Sequence, residues 1–103
     1  MLVQTISRNH SAGGDDLRYA HRLSERFARY FLAIVQVQWT LSAEGQRCIA
    51  ACQLHGRSGF YRAAADTGDF RKSIDLAFDR VVKQRRRKKV ISLRRARTSQ
   101  KAN

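Results

Sequence analysis

The sequence predicts a two-layer α+β sandwich, a four-stranded sheet with two helices on one face, in the order β-α-β-β-β-α. Two stretches carry apolar residues every three or four positions, as helices do, and between them lie three stretches that alternate with period two. The chain has 103 residues, enough for one domain with one modest core. Two amphipathic helices can cover only one face of four strands, which gives two layers.

Residues 2–7 alternate loosely and form a short strand. Arg8, Asn9, His10 and Ser11, followed by Gly13-Gly14, make a loop. Asp15 and Asp16 are expected to cap the helix that follows. Over 17–31, Leu17, Ala20, Leu23, Phe27 and Phe31 form one apolar stripe. Arg18, Arg22, Arg26 and Arg29 fall within an arc of about 80° on another face. Glu25 is the only acidic residue along that helix, so the row is a positive ridge.

Val35, Val37, Trp39 and Leu41 then alternate with Gln36, Gln38 and Thr40, the pattern of a half-buried strand. Residues 42–46 turn the chain. A second strand over 47–55 places Cys48, Ala50, Cys52 and Leu54 on one face. Gly56-Arg57-Ser58-Gly59 makes a hairpin turn, and 60–65 form a third consecutive strand. Asp66-Thr67-Gly68-Asp69 stops it and offers caps to a final helix. There Phe70, Ile74, Ala77, Phe78 and Val81 face inward, while Arg80, Lys83 and Arg87 form a second ridge. The apolar period breaks at Arg85. The packed body is therefore expected to end near there, with the helix continuing as a basic extension. The folded domain is expected over 1–89, with weak docking of 90–93 and disorder over 94–103. A strand-helix-strand start favours a right-handed crossover, with the first two strands parallel.

The charge is uneven. From residue 80 to 103 there are eleven basic residues and no acidic one, whereas 1–79 carry ten against eight. Most of the formal net charge of +13 is thus local. So dense a patch attracts a polyanion, because each neutralised phosphate releases condensed counterions. Two helices side by side would bring both basic ridges together as one groove for the phosphates of folded RNA.

Other classes are disfavoured. No apolar run approaches the length needed to cross a bilayer, and the N-terminus lacks the pattern of a signal peptide, so a cytoplasmic protein is expected. The last helix is basic and amphipathic enough to lie on an anionic membrane, but its apolar face is needed to cover the sheet. Cys48 and Cys52 are expected as buried free thiols. Four residues of strand span about 13 Å, too far for a disulfide, which needs Cα atoms within about 7 Å. His10, His21 and His55 show no convergence on a reacting phosphate, and Asp75 and Asp79 suit surface ion pairs. No enzyme, cofactor, metal or small-molecule substrate is expected.

Several local matches have a joint order. Arg8-Asn9 close the first strand, and Tyr19, Arg22, Arg26 and Arg29-Tyr30-Phe31 mark the first helix. Ala63-Ala64-Ala65, Asp69 and Ile74-Asp75 follow in register, then Asp79, Arg80, Lys83, Arg87 and Lys89. Through these residues the chain resembles the ribosome hibernation-promoting and ribosome-associated inhibitor family, also described as sigma-factor modulation proteins. It departs from that pattern at Ser7, Gly13 and Asp16, and at Arg71, where the family often has Tyr. It looks like a short form, without the C-terminal dimerisation domain of some members.

The resemblance implies a monomeric, non-enzymatic inhibitor that binds small-subunit rRNA in the channel for messenger and transfer RNA. The implied rRNA contacts are Arg8, Arg18, Arg22, Arg26, Arg29, Arg80, Lys83, Arg86, Arg87, Lys88 and Lys89. A general double-stranded RNA or DNA binder, or an RNA chaperone, would use the same charges.

Overall fold

The period-two alternation in the middle of the chain becomes a three-stranded antiparallel meander. In the computed structural model β1 spans Leu2–Ser7, α1 Gly14–Ser24, β2 Ile34–Glu44, β3 Arg47–Gly56, β4 Gly59–Thr67 and α2 Phe70–Ala102. The structure describes the backbone of residues 1–8 and 12–102, and the side chains of 1–8 and 12–86. The sheet order is β1-β2-β3-β4. β1 runs parallel to β2, and the other two pairs are antiparallel. The β-α-β-β-β-α sandwich is therefore the observed fold, with its core between the helices and one sheet face.

Strand alternation sorts the sheet into two surfaces. Val37, Trp39 and Leu41 of β2, Ala50, Cys52 and Leu54 of β3, and Tyr61 and Ala65 of β4 are buried beneath the helices. From the helical layer come Ala20, Leu23 and Phe27, with Phe31 just beyond the first helix, then Ile74, Ala77, Val81 and Val82. Phe27 sits at the centre, with ring centroids 4.4 Å from Phe78 and 6.5 Å from Trp39. Cys48 and Cys52 are both free, as expected for two thiols along one strand, but only Cys52 is buried; Cys48 is half-buried.

Four local features differ from the expectation. The β2–β3 turn is only Gly45-Gln46, not 42–46, because Gly45 adopts a φ of 62° and lets the hairpin close in two residues. Val35 does not face the core: it is 57% exposed. A register shift between Ile34 and Gln36 breaks the alternation, and Ile34 packs on the core instead. Asp15 and Asp16 lie inside the first turn of α1, while Gly13 at the cap makes no side-chain bond. Their charges face the positive helix end rather than bonding to it as caps.

The fourth concerns the helices. The first ends as α-helix at Ser24 and tightens into a 3-10 turn over Glu25–Arg29. At that junction the Ser24 hydroxyl donates back to the Ala20 carbonyl, a bond that competes with regular helix. α2 continues past Arg85 as expected, and its backbone is helical to Ala102. Neither Pro nor Gly occurs beyond Gly68, and the segment is rich in Lys, Arg, Gln and Ala, which favour helix. The docking expected of 90–93 and the loop at 9–11 lie outside the described side chains.

Candidate nucleic-acid interface

The two helices meet along a seam that sets the geometry of the cationic face. At one end the Tyr19 hydroxyl of α1 donates to the Asp75 carboxylate of α2, and the Arg71 guanidinium lies over the Tyr19 ring, 5.1 Å from its centroid. At the other end Tyr30 meets Phe78 edge-on at 6.3 Å, and Arg86 lies over Tyr30 at 5.8 Å. Two cation–π contacts thus hold α2 arginines against α1 and the turn after it.

Arg22 and Arg26 are exposed on the α1 side of this seam. Arg26 acts on Tyr19 through space, as does Arg71; both favour the ionised phenol. Their effect is outweighed by the hydrogen bond to Asp75, by burial and by the Asp75 charge, which raise the Tyr19 pKa. Arg18, Tyr19, Arg22 and Arg71, with Asp15, also line an open hollow at the start of the seam. Asp15 partly offsets Arg18 there, at 3.1 Å. The aromatic contacts position Arg71 and Arg86 on the same surface as the exposed Arg22 and Arg26, where arginine can engage phosphate oxygens.

The expected groove of two facing ridges forms only in part. Arg80 and Lys83 lie on the far flank of α2, beside β4, and with Gln84 line a separate hollow over Ala63 and Ala64. Arg80 donates through Nη1 to the Ala64 carbonyl at 2.5 Å, and Lys83 pairs with Asp79 at 2.9 Å. They face away from α1 because the row that meets α1 runs through Arg71, Asp75, Phe78 and Arg86. Arg29 and Arg8 are exposed, and Arg8 is engaged with other residues. The side chains of Arg87, Lys88 and Lys89 are outside the described set.

Sequence reasoning left Arg71 out of the candidate contacts. The spacing from Arg71 through Asp75 and Phe78 to Arg86 is a helical row, and that signal could have found it.

Little else on the described surface resembles a reactive site. His21 is on α1 and His55 on the opposite sheet face, so they do not converge. Burial pushes the Cys52 thiol up, which keeps it protonated and inert at neutral pH. Among the described residues no group of His, Cys, Asp or Glu is arranged to hold a metal ion. No described helix is long and apolar enough to cross a membrane.

Fold and surface together define a small α+β binding protein with a cationic helical face. The family profile described as sigma 54 modulation protein / S30EA ribosomal protein matches residues 4–90, and the chain belongs to this family of ribosome-associated proteins. Among solved structures, the Protein Y N-terminal domain of Thermus thermophilus is 26% identical with a TM-score of 0.73. That match covers 84% of this chain and 98% of the other. A ribosomal subunit interface protein from Coxiella burnetii is 16% identical with a TM-score of 0.71, over 87% and 99% of the two chains, a likeness of fold. No curated protein matches by sequence.

Proposed function

We propose that this protein is a translation inhibitor that binds the small ribosomal subunit through rRNA and occupies the channel used by messenger and transfer RNA. The observation that carries this reading is the seam itself. Arg22 on α1, Arg26 in the 3-10 turn after it, and Arg71 and Arg86 on α2 border one line, and α2 continues from it into a segment rich in Lys and Arg. Folded RNA is recognised mainly through backbone shape and phosphates, so a rigid row of cations suffices without base-reading groups. Family membership supplies the ribosome as the RNA.

In this reading the protein is cytoplasmic, monomeric away from the ribosome and non-enzymatic, and it acts by exclusion. The rRNA contacts are Arg8, Arg18, Arg22, Arg26, Arg29, Arg86, Arg87, Lys88 and Lys89, together with Arg71. Arg80 and Lys83 contribute from the β4 flank. The folded domain over 1–89 does the binding and 90–103 adds attraction.

The test is a charge reversal along the seam, Arg22→Glu with Arg26→Glu and Arg86→Glu, all at exposed positions. The variant should lose co-sedimentation with small subunits and lose inhibition of a cell-free translation system. The parent protein should inhibit near stoichiometry, and excess initiator transfer RNA should relieve it, because mutually exclusive ligands weaken each other. Undiminished binding by the variant would refute the seam. Tight binding to naked RNA duplex with no inhibition would favour a general RNA binder instead.

A further inference from the structure

The sheet face turned away from the helices is uncovered, and its composition is unusual for a solvated surface. Register places Leu2, Gln36, His55 and Phe60 side by side in one row across all four strands. The next row is Gln4, Gln38, Gln53 and Arg62. Neither row holds an acidic residue. Phe60 is 59% exposed, and the His55 ring stands 6.3 Å from it, tilted by 52°. Gln36, Gln38 and Gln53 join these two rings around one shallow depression.

We propose that this depression is a second RNA site, which takes an unpaired nucleotide by stacking its base against Phe60 and His55. It rests on the proposed function only for the choice of RNA as the polymer. An exposed aromatic pair provides a π-face for any base, and such stacking is how single-stranded RNA binds open sheets. The glutamine amides beside the rings both donate and accept, which suits the mixed edge of a base better than it suits an apolar protein partner. Gln36 already uses its Nε2 to donate to Gln4 Oε1 at 2.9 Å. No side-chain hydrogen bond of the described residues engages Gln38 or Gln53.

Charge complementarity decides between nucleotide and second copy. Arg62 stands in the adjoining row, and Arg57 in the turn beside Phe60, so the surround is cationic and suits a phosphodiester. Two such faces brought together would set like charges against each other. The site lies on the opposite side of the sheet from the seam, so one molecule could hold folded RNA on its helices and a single strand behind.

The experiment is a titration of the isotope-labelled full chain with octauridylate, followed by NMR at a salt concentration high enough to weaken purely ionic attraction. The Phe60 ring, the His55 ring and the glutamine side-chain amides should shift together. Phe60→Ala should weaken octauridylate binding by about tenfold, the size of one lost stack, and Phe60→Tyr should restore it. Phe60→Leu, which keeps apolar bulk at this exposed position, should behave like the alanine variant. Co-sedimentation of each variant with small subunits is measured separately, so a failure of the ribosomal reading is seen on its own. Shifts confined to the arginines of the seam, or equal binding by Phe60→Ala, would overturn the proposal. So would concentration-dependent shifts at Phe60 without RNA, which would make the face a self-association surface.

Discussion

Ser24 is buried and holds two groups at once. Its hydroxyl donates to the Ala20 carbonyl at 2.8 Å and accepts the Trp39 indole N–H at 2.6 Å. Trp39 is wholly buried, so no water can replace that acceptor. Ser24→Ala should therefore cost about 1–3 kcal/mol, the desolvation penalty of an orphaned donor. Chemical denaturation would show it, with Trp39 fluorescence as a second probe. Adding Trp39→Phe should recover part of the hydrogen-bond loss while introducing a cavity loss of its own.

Tyr19 makes a pH-dependent case. Its phenol must stay protonated to donate to Asp75. An unfolded phenol titrates near 10, and the folded value is higher. The bond's contribution is thus complete below about pH 10 and is lost as pH rises through the raised value. Tyr19→Phe should destabilise the fold by about 1 kcal/mol at neutral pH. That gap from the parent should hold between roughly pH 7 and 9 and close above 10, as read by thermal melts across the range. A gap that is unchanged at high pH would show that the bond contributes nothing.

Among the elements, α2 seals an edge of the sheet. Gln84 accepts from the Arg62 N–H and donates to the Arg62 carbonyl at 2.5 Å, and Arg80 takes the Ala64 carbonyl. Exposed edge strands template pairing with other chains, and these side chains occupy the groups that would do so. Gln84→Ala should cost about 1 kcal/mol and should raise the tendency to self-associate, measurable by light scattering against concentration. An equally monodisperse variant would show that the edge is protected by other means.

The same element shows where sequence reading stops. Each strand and helix could be placed from its period, because burial on one face writes itself into neighbouring residues. Arg80 was expected on RNA because its charge is visible in the sequence, whereas its partner in β4 is sixteen residues away and invisible to any local pattern. Val35 matched the alternation perfectly, but the bulge at Ile34 that exposes it comes from pairing with β3. The 3-10 turn after Ser24 likewise leaves no mark on the apolar period of the sequence. Of the candidate interface, the arginine row of the first helix and the row from Arg71 to Arg86 are both legible as helical spacings, while the Tyr19 contact that sets Arg71 against α1 is not.

For the whole molecule, the decisive property is the division of charge between the seam and the end of α2. If about six phosphates are neutralised, the logarithm of affinity for small subunits should fall with the logarithm of salt at a slope of about −5. A chain ending at Lys89 loses Arg94, Arg95, Arg97 and Lys101 but keeps every residue of the seam. Were those four cations bound to phosphates, truncation would flatten the slope by about 3 to 4. With the seam carrying the contacts, the slope should change by less than about 1, and inhibition of translation should persist at a modestly higher protein concentration. Under the proposed function it is the folded body, not the extension, that would exclude transfer RNA, since the body has the greater bulk. Binding curves at four or five salt concentrations for both chains, with translation measured alongside, separate the two cases. Loss of inhibition together with the larger change in slope would move the function from the seam to the extension.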